Sequence, residues 1–160
     1  MKVLVFHIGA DRYGLQLAGI ARVLPLLALK QLPLAPAYVA GIMDYHGQPV
    51  PVLDLNLLAG VTGSGDFYDS RILVVDYPIA DGASHALGLL ARHVRGIQDV
   101  PPATLADSGL ASAGAPFLGQ VASDADGMLQ LVELGGLLTA DVRALLFPAA
   151  RPDASLACVR

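Results

Sequence analysis

The side chains best suited to proton transfer or metal binding near neutral pH are four histidines, His7, His46, His85 and His93. No two of them have the close spacing of metal ligands, and the one cysteine, Cys158, stands far from all of them near the end of the chain. Ser70 and Ser84 could act as nucleophiles only if a histidine and a carboxylate met them in space. Neither lies on a Gly-x-Ser-x-Gly elbow. Of 14 acidic residues only Glu133 is a glutamate, and most of the aspartates stand beside Gly, Ser or Pro, which is how turns use them. Gly63-Ser-Gly-Asp has no Lys-Ser/Thr after it to make a phosphate loop. Asp124-Ala-Asp-Gly opens like a calcium loop, yet Gly127 comes at the wrong place and Gly135 stands where a bidentate glutamate is needed. These residues predict no enzyme, no cofactor and no metal.

Composition narrows the remaining classes. A net charge of -4, with 10 basic residues scattered along the chain, argues against nucleic acid, which requires clustered Lys and Arg. The opening MKVLVFHIG is too short an apolar run for a signal peptide. The most apolar window, residues 23 to 43, holds Lys30, Gln31 and three prolines, so no membrane insertion is expected and the chain reads as cytoplasmic. Its 160 residues suit one domain that buries about 70% of its unfolded surface. With 54% hydrophobic and only 15% charged residues, part of the surface is expected to be apolar or covered by a partner. A genome-wide bias toward Ala, Gly and Leu would produce the same figures.

The elements that must position any site are short strands between glycine-rich turns. Residues 2 to 8 read as a strand, followed by a turn at Gly9-Ala-Asp-Arg and a partner strand over 13 to 17. Residues 22 to 29 read as a strand interrupted by Pro25, and 72 to 77 as a strand buried on both faces. Further strands are predicted over 85 to 91, 93 to 99, 116 to 122 and 128 to 133, with turns at Asp81-Gly-Ala-Ser, Ala111-Ser-Ala-Gly-Ala and Asp124-Ala-Asp-Gly. Residues 55 to 59 make one helical turn before Gly60. A C-terminal helix starts after Thr139 as N-cap and ends at Pro148. Many short strands at this spacing mean barrels or a sandwich.

The most constrained stretch is residues 36 to 58, PAYVAGIMDYHGQPVPVLDLNLL. Pro36 sets a short helical turn over 37 to 40, and Gly41 turns the chain into a strand over 42 to 45. A tight turn at His46-Gly47 returns it as Pro-Val-Pro-Val-Leu-Asp-Leu. There Val50, Val52 and Asp54 point one way, and Pro51, Leu53 and Leu55 the other. Two prolines in one arm restrict it to pairing on one side, or to an edge or bulge. This stretch resembles the CheW-like domain family, adaptor modules of bacterial chemosensory arrays. The resemblance continues upstream through Phe6-His7-Ile8-Gly9, Tyr13-Gly14-Leu15 and Ile20-Ala21-Arg22-Val23. Downstream it runs through residues 71 to 75, Leu87-Gly88-Leu89-Leu90, Val94-Arg95-Gly96-Ile97 and Phe117-Leu118-Gly119 to Leu137-Leu138, so that residues 2 to 138 are covered.

The resemblance implies an all-β fold of two small five-stranded barrels packed side by side, with short helical turns, one C-terminal helix and a hydrophobic seam between the barrels. It implies a single domain over residues 1 to 148, made of two barrel subdomains, and leaves 149 to 160 as a tail expected to be disordered. It also implies a non-catalytic coupling scaffold at receptor arrays on the inner face of the membrane. In such proteins one barrel binds the regulatory domain of a CheA-type histidine kinase, and the seam receives the cytoplasmic tip of a methyl-accepting chemoreceptor. The family's partner-binding positions fall on Ile20, Arg22 and Leu24, on the turn residues Asp44, His46 and Gly47, and on Asn56.

Three of these depart from the family. Arg22 stands where Glu is usual, His46 where Arg is usual, and Asn56 where Arg is frequent. The first reverses a charge and the second removes a permanent two-pronged donor. They are either neutral drift or a match to a dedicated kinase and receptor. The run from Val23 to Pro33 and the ending Ala144-Leu-Leu-Phe-Pro look like Wsp-type surface-sensing adaptors, whose output is a diguanylate cyclase. The alternative is a small-ligand-binding or hydrolytic β-barrel, with the seam as pocket and His85, His93 or a serine acting in it. A narrower variant has lost receptor binding and only fills positions in a kinase ring.

Overall fold

The computed structural model describes residues 1–61, 70–78, 84–107 and 117–147. The Gly63-Ser-Gly-Asp stretch, the turns expected within 81 to 84 and 111 to 115, Pro148 and the tail from 149 lie wholly or largely outside these described residues. Among these described residues nine strands are formed: β1 Lys2–Ile8, β2 Asp11–Gln16, β3 Ile20–Leu24, β4 Val39–Tyr45, β5 Gln48–Asp54, β6 Arg71–Pro78, β7 Ser84–Asp99, β8 Leu118–Asp124 and β9 Gly127–Val132. Helix α1 spans Leu55–Leu58 and α2 spans Ala140–Leu146.

One strand belongs to two barrels. The first barrel runs β3-β6-β7-β5-β4 and the second β7-β1-β2-β9-β8, so the five-stranded pair is built from nine strands with β7 counted twice. This corrects the expectation of separate strands over 85 to 91 and 93 to 99. Between them His93 takes a left-handed φ of 53°, and the register against β1 slips between Val5 and His7. The chain bends there without leaving the ladder, as a bulge permits. Two isolated bridges draw the barrels toward closure: Lys30 with Ile42 in the first, Ala106 with Val121 in the second.

Sharing a strand gives most central strands two buried faces. On β1, Val3 and Val5 point into the second barrel, while Leu4, Phe6 and Ile8 point into the seam. On β6, Ile72 and Val74 fill the first barrel, while Leu73, Val75 and Tyr77 fill the seam. The continuous apolar run of residues 72 to 75 follows from this, because neither face meets water. The seam is the largest of three core clusters, and Val142 of α2 packs into it from the side. Thr139 caps α2 as expected, its Oγ1 accepting from the Val142 N–H at 3.3 Å.

The 36 to 58 hairpin forms with one difference. The chain makes a turn in which the Val39 N–H donates to the Pro36 carbonyl at 3.0 Å, and β4 begins at once at Val39. The expected helical turn over 37 to 40 is therefore absent, and Gly41 sits inside the strand at a bulge. Its φ is 153°, and a Cβ there would lie 2.6 Å from the Lys30 carbonyl oxygen, so glycine is required by the close approach of that backbone. On β5, Val50 and Val52 face the first barrel and Leu53 the seam, as alternation predicts. Pro49 and Pro51 pair only with β4, and the second, parallel partner β7 joins from Val52 onward, where N–H groups are again free to pair. Strand β3 spans Ile20–Leu24 and not 22 to 29, because Pro25 has no N–H to continue the ladder.

Candidate functional site

The sequence-predicted partner residues lie on the first barrel, at its two extremes. β3 forms the outer edge, hydrogen-bonded to β6 on one side. It carries three exposed residues in a row, Ala21, Arg22 and Val23, and Val23 keeps 45% of its surface in water. A register shift between Ile20 and Arg22 changes how the strand presents its side chains. Ile20 packs against the seam cluster, whereas Leu24 packs against the barrel interior. The three positions thus do not form one outward row. Val23, which sequence reasoning passed over, is the large exposed apolar side chain of the strand, next to Arg22. A bulge leaves no local mark in the sequence, so alternation alone could not find it.

The second group is the tip of the β4–β5 hairpin. His46 and Gly47 have φ of 53° and 82°, the pair of positive values that a tight two-residue hairpin requires. Asp44 locks the turn by accepting from the Gly47 N–H at 2.8 Å, and the His46 ring lies 4.4 Å from Tyr45. Asp44, His46 and Gly47 are all exposed. A shallow depression of about 290 Å³ beside the turn is lined by Lys30, Ile42, Asp44 and Gln48. Asn56 is different: it is 4% exposed at the start of α1, so a partner resting on this surface would not touch its side chain.

Behind these surfaces stands an ion pair that sequence reasoning did not assign. Arg92 of β7 donates to Asp54 Oδ2 at 2.8 Å, with both side chains 8% exposed. The other carboxylate oxygen accepts from the N–H groups of Asn56 and Leu57 at 3.0 and 3.4 Å, capping α1. The cap was readable from an Asp before a short apolar turn. The arginine, 38 residues away, was not.

The seam is filled. Its interior holds Phe6, Leu53, Leu73, Val75, Tyr77, Leu87 and Leu89 at 0% exposure, so a partner meets the seam through the side chains that border this core. On one side, Leu57 is 37% exposed, and Leu58, Val61 and Val94 are partly buried against the seam core. On the other, Phe147 stacks on Tyr77 and His85 at 5.9 and 5.1 Å.

The groups considered for catalysis stay apart. His85 is taken up by that stack, His93 meets His7 edge-on at 5.9 Å, and Ser70 is buried at 1% exposure. Among the described residues no three His, Cys, Asp or Glu side chains converge on a metal position, and no helix is long and apolar enough to cross a membrane.

At the mouth of the second barrel Asp124 is a hub, and it makes the turn first considered as a calcium loop. It accepts from Gln98 Nε2 at 2.6 Å, from the Asp126 N–H at 2.9 Å and from Arg12 at 3.0 Å. These contacts, the Gln98 hydrogen bond foremost, hold its carboxyl below the ordinary range. A folded value below the unfolded one stabilises the protein above the unfolded pKa, and that stabilisation is lost as pH falls through the folded one. Thermal melts should therefore show Tm falling on acidification below about pH 4, with part of the fall missing in Asp124→Asn. Identical pH profiles for the two proteins would remove Asp124 from the acid response.

A family model described as the CheW-like domain matches residues 2–142. The chain belongs to that family. The family's proteins are non-catalytic scaffolds, and this chain is a coupling scaffold of that kind. Two similar relatives are both named chemotaxis protein CheW. The one from Klebsiella aerogenes is 25% identical over 151 residues, covering 91% of this chain and 86% of its own. The one from Treponema pallidum is 28% identical over 79 residues, covering 47% of this chain and 46% of that protein. The crystal structure of scaffolding protein TtCheW from Thermoanaerobacter tengcongensis has the same fold. It superposes with a TM-score of 0.78 at 23% identity, over 88% of this chain and 94% of that one.

Proposed function

We propose that this CheW-like chain couples methyl-accepting chemoreceptors to a CheA-type histidine kinase, working in the cytoplasm at receptor arrays on the inner face of the membrane. The observation that carries the reading is the outer edge of the first barrel. There, among the described residues, β3 pairs with β6 alone and presents Arg22 and Val23 to solvent. An edge strand with one apolar and one charged exposed side chain suits a partner that is itself a β domain, such as the kinase's regulatory domain. The exposed hairpin tip at Asp44, His46 and Gly47 belongs to the same barrel and is included in this partner-binding assignment. The receptor tip is assigned to the rim formed by Leu57, Leu58, Val61 and Val94, whose partly exposed apolar side chains border the seam core.

Arg22 sets partner choice in this reading. A reversed charge at an exposed edge discriminates more by repelling wrong partners than by adding affinity. The output is assigned to the Wsp type on the two sequence runs that look like those adaptors. Calorimetric titration with the purified kinase regulatory domain tests the assignment. Val23→Asp is expected to weaken binding at least ~tenfold, about 1.4 kcal/mol. Arg22→Glu should weaken the cognate domain and improve binding to one from a system whose adaptor carries Glu. Ile20→Asp is a poor test, because Ile20 packs on the seam core. Unchanged affinity for Val23→Asp would remove the β3 edge from the interface.

A further inference from the structure

We propose that the junction of Asp54, Arg92 and His93 acts as the positioning device that fixes the angle between the two barrels. It rests on the coupling reading for its purpose, since a scaffold with one partner on the first barrel and the other at the rim between the barrels transmits between them only if that angle is defined. Three observations meet at this junction. β7 is the strand common to both barrels, and it bends at His93, a non-glycine residue at φ 53°. That conformation is uncommon outside glycine and persists where surroundings hold it.

The side chain of the residue before the bend is tied to the first barrel. The buried Arg92 guanidinium donates to Asp54 at 2.8 Å, and Asp54 ends β5 and caps α1. The bend itself is tied to the second barrel. The His93 ring lies edge-on against His7 of β1 at 5.9 Å, where the β1 register against β7 slips. Arg92, whose backbone already pairs with His7 of β1, reaches back to the first barrel with its side chain, while the next residue packs its ring on the second, and the bend is set by both contacts. Arg92 and His93 are positioning residues in this account and touch neither partner.

The test uses the whole chain without any partner, so its failure is distinguishable from failure of the coupling reading. Spin labels on Val23→Cys and Met128→Cys, exposed sites on different barrels, report the inter-barrel distance in a Cys158→Ser background. His93→Gly adopts the same φ without help and loses the contact to His7. Asp54→Asn with Arg92→Met removes the ion pair while keeping volume. Both variants are expected to broaden the distance distribution and shift its maximum. Ala86→Gly, elsewhere on β7, is expected to leave it as in the parent. A distribution in either junction variant that superimposes on the parent, or equal broadening in Ala86→Gly, overturns the proposal.

Discussion

Replacing Asp54 with alanine is expected to cost about 3–5 kcal/mol of folding stability, a fall in Tm of roughly 10 °C or more. The magnitude follows from burial. Asp54 and Arg92 are each 8% exposed, so removing the carboxylate leaves a guanidinium that was placed in the interior to meet it. The N–H groups of Asn56 and Leu57 lose their acceptor in the same step, and α1 loses its cap. Denaturant titration measures the loss. The double variant Asp54→Asn with Arg92→Met should recover most of it, because a buried ion pair replaced as a unit by groups of similar size is often close to neutral. A single-variant loss below about 1 kcal/mol, as for a surface pair, would mean that water reaches Arg92.

Phe6→Ala is expected to cost a comparable amount, about 3–5 kcal/mol. Phe6 is 0% exposed in the seam, where residues from β1, β5, β6, β7 and α2 meet. The walls of a cavity there belong to two packed barrels, which resist collapsing into it. Ile72→Val, one methylene removed from the interior of the first barrel, should cost only about 0.5–1.5 kcal/mol. Denaturant titration of both variants makes the comparison. If Phe6→Ala cost no more than Ile72→Val, the barrels would be stable separately and the seam a secondary contact.

The site was less legible than the fold. His46-Gly47 was readable as a turn because glycine tolerates the φ that a tight hairpin demands, and the Asp44 cap on the Gly47 N–H follows the same local rule. Thr139 was readable as an N-cap for a similar reason. The family's partner-binding positions were carried over to Ile20, Arg22 and Leu24, and the bulge after Ile20 distributes them between seam, solvent and barrel interior. Asn56 was read as a partner contact and lies buried beneath the surface.

By itself the sequence determined the all-β class, the hairpin at 46 and 47, the doubly buried strand around residues 72 to 75, and, through spaced landmarks, the family. Those properties are set by local backbone preference and by two-residue periodicity, which neighbouring side chains carry. Only the tertiary structure decided that β7 is one strand serving two barrels, that the seam is a filled core, and that Arg92 is the partner of Asp54. Each of these depends on which distant segment pairs with which, and a bulge at one strand or a bend at one residue changes the answer without altering the local pattern.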